Sequence, residues 1–197
     1  MSGDVHVQFC ERLRGRFPWS THLVIGCESE EDAHRLMHAL PKRFARYGLT
    51  IHPEKSKMVC FKQTSKCSEK CGNGTFDFLG FTHYWARSRN GYWVIKRKTM
   101  ASRHRRAIRN LFLYCRNNKH EPVKEQHKDL CAKLHGLYGY YGIRGNYRML
   151  WMIYQEVRGF WKRWLGRRSR DGYVSWEKFA EFLDVWKLPR PRITKQV

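Results

Sequence analysis

The sequence predicts an α+β chain in which a first half of mixed strands and helix runs into an all-helical second half. Three observations carry that reading. Short apolar runs bounded by turn residues punctuate residues 1–98, and Asn90-Gly91 stands between two aromatic and β-branched runs, a strong hairpin signal. Beyond Lys98 the apolar positions switch to a helical rhythm. Three segments follow: 1–98 as the α+β part, 99–168 as a helical bundle, and 169–197 as a short basic terminal segment. A chain of 197 residues can bury one ordinary core or two small ones.

In the first segment, Phe9, Leu13 and Phe17 could share a helical face, but Gly15 and Pro18 interrupt it. Leu23-Val24-Ile25-Gly26 reads as a short buried strand. Ser29, with Asp32 three residues on, is a helix start. The helix then keeps Ala33, Leu36, Met37, Leu40, Phe44 and Tyr47 on one face, with a kink at Pro41, and Gly48 ends it. Leu49-Thr50-Ile51 and the run from Ser56 to Phe61 are extended pieces. Residues 62–75, rich in Lys, Ser, Cys and Gly, form an exposed loop. Phe76 to Trp85 and Tyr92 to Lys96 are the two arms of a hairpin around Arg89-Asn90-Gly91.

In the second segment, Ala107, Ile108, Leu111, Phe112 and Cys115 make an apolar stripe, and Arg103, Arg105, Arg106, Arg109 and Arg116 lie off it. Pro122 opens the next helix, which carries Val123, Leu130, Leu134 and Leu137 until Gly136, Gly139 and Gly142 interrupt. A third helix runs from Tyr147 through Leu150, Trp151, Tyr154, Val157, Phe160, Trp161, Trp164 and Leu165. Ser175-Trp176-Glu177-Lys178 starts a last short helix, and Leu188-Pro189-Arg190-Pro191-Arg192 is an extended basic tail.

Charge narrows the function classes. The formal net charge is +22, and it is uneven. Residues 1–80 carry 12 Lys and Arg against 9 acids, whereas residues 81–197 carry 27 against 8. A basic second half of this kind calls for a polyanionic partner, nucleic acid first among them, over a merely solubilising surface. Seven cysteines in an odd set, with no apolar leader after Met1, suggest a reduced, cytoplasmic protein. No apolar window is long enough to span a bilayer, so no membrane partner is expected. Cys67 and Cys71 have a metal-compatible spacing, but no second close pair completes four ligands, and they read as free thiols in a loop.

The second half interleaves cations with aromatic rings, the pattern that neutralises phosphates and stacks unpaired bases. It is densest from Gly139 to Arg148, where Tyr140, Tyr141 and Tyr147 alternate with Arg144 and Arg148. The tyrosines could equally complete a core, whereas the two arginines point to RNA. Trp151, Trp161 and Trp164, at helical spacing, are expected in the core. His104, His120, His127 and His135 lie among cations and are expected to face solvent or phosphate. No phosphate-binding Gly-Lys-Ser/Thr loop, nucleophile elbow or His-Glu-x-x-His helix occurs. Glu28, Glu30, Glu31 and Asp32 could suggest a two-metal site, yet one helix N-terminus accounts for all four.

Taken in order, these segments resemble a known family. Arg12-Leu13-Arg14-Gly15-Arg16 looks like the entry to a polymerase catalytic hairpin, and Val24 to Ala33 like the strand and helix that leave it. Gly48 to Lys57 is similar to polymerase motif D, and Phe76-Asp77-Phe78-Leu79-Gly80-Phe81 to the primer grip. Leu134 to Leu150, and on through Trp164, resembles the maturase-specific thumb. Tyr173 to Glu177 and Leu188 to Ile193 look like the ending of members without an endonuclease. Nearly the whole chain thus resembles the C-terminal portion of a bacterial group II intron reverse transcriptase, a retroelement RNA-directed DNA polymerase and maturase.

The resemblance implies a partial palm followed by a thumb/maturase bundle, truncated relative to the family. It also implies RNA binding in intron splicing and mobility, with group II intron RNA and RNA–DNA duplex as partners. Phe78, Leu79, Gly80 and Phe81 would be primer-grip-like. Lys55, Lys57, Arg103, Arg105, Arg106, Arg109, Arg144, Arg148, Lys162, Arg163, Arg167 and Arg168 would contact nucleic acid. The family polymerises with magnesium held by aspartates, one from an early palm strand and two from a Tyr-Ala-Asp-Asp turn. Here the early strand is missing, and Ser20, Thr21 and His22 stand where Ala-Asp-Asp would be. No catalytic residue, metal ligand or cofactor is therefore expected in this chain. Two alternatives remain open at this level: a subunit that completes a split polymerase, with a homodimer or a complementing fragment as partner, and a decayed basic fragment without specific function.

Overall fold

The computed structural model describes residues 5–12, 20–51, 56–61, 74–169 and 172–195. They fall into two compact units, residues 1–96 and 97–197. The chain is α+β: antiparallel strands and one helix come first, and four helices follow. Lys55, the Cys67/Cys71 pair and most of the loop expected at 62–75 lie outside the described residues.

In the first unit, β1 (Val5–Arg12) pairs antiparallel with β2 (Ser20–Cys27). Its other edge is shared by β4 (Lys57–Cys60), opposite Val5 to Gln8, and β3 (Thr50–Ile51), opposite Glu11 and Arg12. The helical reading of Phe9 was wrong. Val5, Val7 and Phe9 alternate with His6 and Gln8, a period of two that supports a strand, and the apparent helical spacing arose only by including Leu13 and Phe17. α1 (Glu30–Ala45) starts where expected: the Asp32 amide donates to Ser29 Oγ at 3.1 Å, and Glu30, Glu31 and Asp32 occupy the positive first turn. Ala33 is its one fully buried residue, packed with Ile25, Cys27, Leu36, Met37, Leu40, Ile51 and Met58. Tyr47, expected on the same face, is exposed beyond the helix end.

A second, three-stranded sheet has the order β5 (Thr75–Phe78), β6 (Phe81–Arg87), β7 (Trp93–Thr99). The run expected as one arm, Phe76 to Trp85, is itself a hairpin. Phe78 pairs with Phe81 around Leu79-Gly80, and both turn residues have positive φ, 47° and 80°. That is the backbone a two-residue turn needs to follow the strand twist, and glycine at its second position makes it accessible. The expected hairpin around Arg89-Asn90-Gly91 is present, but only Gly91 is left-handed (φ 80°), as in a three-residue loop. The Ser88 and Tyr92 backbones close it, with Ser88 N–H donating to Tyr92 O at 2.7 Å. Phe61, fully buried, meets Phe76 edge-on and stacks on Trp85.

The second unit holds α2 (Ala101–Asn117), α3 (Val123–Tyr141), α4 (Tyr147–Leu165) and α5 (Trp176–Val185). One core joins them: Leu111 and Cys115 from α2, Leu130, Leu134 and Tyr138 from α3, six residues of α4, Phe179 of α5 and Leu188 of the tail. Full burial of a leucine of this kind stabilises the fold by roughly 1.5–3 kcal/mol. Gly136 and Gly139 do not interrupt α3. Each weakens a helix by about 1 kcal/mol relative to alanine, but both are exposed, and the buried stripe Gln126, Leu130, Leu134 and Tyr138 holds the helix through them. Residues beyond 169 do not stand apart, because Phe179 and Leu188 belong to this same core.

Candidate nucleic-acid interface

The sequence places arginine all along the outer face of α2, and the structure leaves Arg103, Arg105, Arg106, Arg109 and Arg116 exposed while Leu111 and Cys115 turn inward. Arg103 and Arg106 lie one turn apart and reach toward the end of α3. Burial and the neighbouring Tyr140 push the Tyr141 hydroxyl upward in pKa, and these two guanidinium groups pull it back. Tyr140 and Tyr141 meet edge-to-face at 4.7 Å, and Tyr140 is half exposed. This group sets two cations beside two rings at one end of the helices.

The loop after α3 adds Arg144, and the first turn of α4 adds Arg148, both exposed, to the same end of the bundle. Between them Asn146 is fully buried: its Nδ2 donates to Thr99 Oγ1 and to Tyr141 O, each at 2.8 Å, and its Oδ1 accepts from the Thr99 amide at 2.9 Å. A buried amide satisfied at both ends fixes the backbone that carries the two arginines. Of the three tyrosines weighed between core and RNA, Tyr140 and Tyr147 are exposed and Tyr141 is half-buried, while the neighbouring Tyr138 belongs to the core.

The four cations near the end of α4 are not equivalent. Arg163 and Arg167 are exposed, Arg167 with its guanidinium over Trp164 (5.1 Å), whereas half-buried Lys162 lies over the rings of Trp176 (4.7 Å) and Tyr173 (5.5 Å). Arg168 is half-buried and donates to the Glu121 carbonyl at 2.7 Å, so it braces the fold. Lys162, Arg163, Arg167, Tyr173 and Trp176 line a shallow hollow of about 350 Å³. Glu177, close to Lys162, has its carboxyl lowered in pKa, chiefly by its own backbone N–H and the Ser175 hydroxyl.

No family model, curated protein or solved structure matches the chain.

In the first unit, Lys57 is exposed on β4, and Leu79 projects from its hairpin tip between half-buried Phe78 and Phe81. Two histidines differ from expectation. His104 is buried, its Nε2 within 3.3 Å of Met149 O, because its position falls on the inward stripe of α2. His127 stacks on Trp161, meets the edge of Trp186, and lies 3.0 Å from Lys187 O. Cys131 Sγ sits 3.3 Å from His127 Nε2, but burial raises the thiol in pKa, the opposite of an activated nucleophile. Trp161 and Trp164 are core residues as expected, whereas Trp151 is 37% exposed. Among the described residues, no group of three or more His, Cys, Asp or Glu side chains could hold a metal. No described helix is long and apolar enough to cross a membrane.

Sequence reasoning missed one feature. Arg190 and Arg192, taken only as a basic tail, line a groove with Trp151 and Tyr154 of α4. The signal was tail basicity together with the stripe Tyr147, Trp151, Tyr154 and Arg158, but nothing local says that the tail reaches α4.

Proposed function

We propose that this chain is an RNA-binding, maturase-like part of a group II intron reverse transcriptase, cytoplasmic and inactive in polymerisation as it stands. The observation that carries the reading is the exposed set Arg103, Arg106, Tyr140, Arg144 and Arg148, held at one end of a helical bundle by Asn146. Its chemistry suits a folded RNA: cations for the phosphates and a half-exposed ring for an unpaired base. The order of motifs along the chain, from the polymerase-like hairpin to the thumb-like helices, supports the choice of family. In this reading the first unit is the end of a palm, and the tight Leu79-Gly80 hairpin stands for the primer grip.

The family's magnesium does not fit the residues present. Two metal ions need several hard carboxylate oxygens. Along β2 the matching positions are Ser20, Thr21 and His22, paired with Arg12, Glu11 and Cys10, and of these six residues only Glu11 has a carboxyl group. No polymerisation step is assigned to this chain, and magnesium has no role in the RNA-binding reading.

The test is a titration of the whole chain with group II intron RNA and with random-sequence RNA duplex across a range of salt concentrations. Tighter binding to the intron at every salt, with affinity falling as counterions are released, is expected. Equal affinity for the two RNAs would leave only generic basicity, and nucleotide incorporation by the chain alone would overturn the inactive-polymerase part.

A further inference from the structure

A groove of about 700 Å³ lies on the helical unit, lined by none of the residues that the sequence assigned to RNA contact. Its size is that of a small-ligand site. One side is an aromatic stripe on α4: Tyr147 stacks on Trp151 at 6.2 Å, and Trp151 lies tilted against Tyr154 at 5.4 Å. Trp151 keeps 37% of its surface exposed, while Tyr154 beneath it is buried. A ring held between two neighbouring rings and still exposed over more than a third of its surface is a contact surface with its entropy already lost. Arg158 continues the stripe, its guanidinium 5.7 Å from the Tyr154 ring centre. Arg158 Nη1 donates to Gln155, but its buried Nε has no hydrogen-bond partner among the described residues. As a lining residue, Arg158 adds its guanidinium charge to the groove wall.

The rest of the lining comes from α5 and the tail. Lys187, Arg190 and Arg192 join Arg158 there against one carboxylate, Asp184. The tail is held in place: Leu188 and Pro191 are buried, and the Thr194 and Lys195 amides both donate to Gly142 O, at 2.7 and 3.0 Å. Cations anchored in this way present fixed charge beside the rings.

We infer that this groove takes an unpaired nucleotide of an RNA strand, its base on Trp151 and its flanking phosphates on Arg190, Arg192 and Arg158. This rests on the RNA-binding reading and adds to it a site selective for single strands. An acidic peptide would satisfy the arginines and leave the exposed part of the Trp151 ring uncovered. A paired duplex offers phosphates, but its base faces are already stacked.

The probe is a short fluorescein-labelled oligouridylate, compared with a blunt RNA duplex by fluorescence anisotropy at one salt concentration. Trp151→Ala is expected to weaken oligouridylate binding about ten-fold, the scale of one lost stack, and to leave duplex binding nearly unchanged. Trp151→Phe, which keeps a ring, should restore most of the loss, and far-UV circular dichroism checks that both variants fold. Photocross-linking of a 4-thiouridine oligomer to the unaltered chain should label the α4 peptide that contains Trp151. Equal loss for both RNAs, an unchanged Trp151→Ala variant, capture of an acidic peptide in preference to oligouridylate, or a cross-link elsewhere would remove the groove from the account. In those cases the wild-type chain still binds RNA and the broader reading survives. Failure of the wild-type chain to bind any RNA would sink both.

Discussion

Asn146 grips Thr99 through both ends of its amide, 47 residues away along the chain. Both residues are almost wholly buried, at 0% and 1% exposure, and the same amide donates to the Tyr141 carbonyl. One side chain therefore ties the start of α2, the end of α3 and the start of α4 into a single junction, around which Arg103, Arg106, Arg144 and Arg148 are displayed. Asn146→Ala would strand the buried Thr99 amide, at a cost of about 1–3 kcal/mol, and take one of two donors from the Tyr141 carbonyl, which still accepts from the Ile143 amide. The expected result is a fall of roughly 5–10 °C in the unfolding midpoint of the helical unit, followed by tryptophan fluorescence. RNA binding should weaken as well.

Gly142 is where the tail docks. A Cβ there would run into the carbonyl oxygens of Tyr138 and Arg192 and the hydroxyl of Thr194. Overpacking of this kind costs about 1–3 kcal/mol, and departure of the tail relieves the contacts with Arg192 and Thr194 while the end of α3 adjusts at Tyr138. Gly142→Ala is therefore expected to release residues 188–195, seen as faster tryptic cleavage after Arg192, which mass spectrometry would locate. Unchanged cleavage would mean that the bundle yields instead.

Arg103 and Arg106 flank Tyr141 on the exposed face of α2. If each neutralises one phosphate, replacing both with glutamine removes two released counterions. The slope of log affinity against log salt for single-stranded RNA should become shallower by about 1.4. Arg168→Gln, which removes a brace to the Glu121 carbonyl, should lower stability more than it changes that slope.

Alkali should loosen the helical unit. Burial pushes the Cys115 thiol from 9.0 to about 12. It also raises Tyr114, Cys131, Tyr138 and Tyr141, in each case as the leading cause. Between pH 9 and 12 the unfolded chain has lost the Cys115 proton that the folded chain keeps, so stability falls as pH rises through that window. Below pH 9 these groups contribute no pH dependence. A urea midpoint that is flat from pH 7 to 8.5 and declines above pH 9 is the expected profile; a midpoint rising with alkali would contradict it.

Local chemistry made several elements legible. Ser29 and Ser175 cap helices because a hydroxyl after extended backbone can accept an orphan amide, and both do so. The buried stripes of α2, α3 and α4 follow a period that any residue-by-residue reading detects. Competing local signals misled elsewhere. Gly136 and Gly139 look like helix breaks, but the apolar stripe beneath them outweighs two weak propensities. Phe76 to Trp85 reads as one long strand because Leu79 is a poor turn residue on paper; the cross-strand pair Phe78 and Phe81 makes it one.

The α+β order, the basic and aromatic character of the second half and the lack of paired aspartates after β1 are legible along the chain, because composition and period are properties of neighbours in sequence. Tertiary structure alone decided which cations remain free. Arg168 and Lys162 are drawn into the fold, His104 is buried, and the tail arginines come beside Trp151. Those outcomes depend on contacts between residues tens of positions apart, where burial and hydrogen bonding outweigh the intrinsic preference of any one side chain.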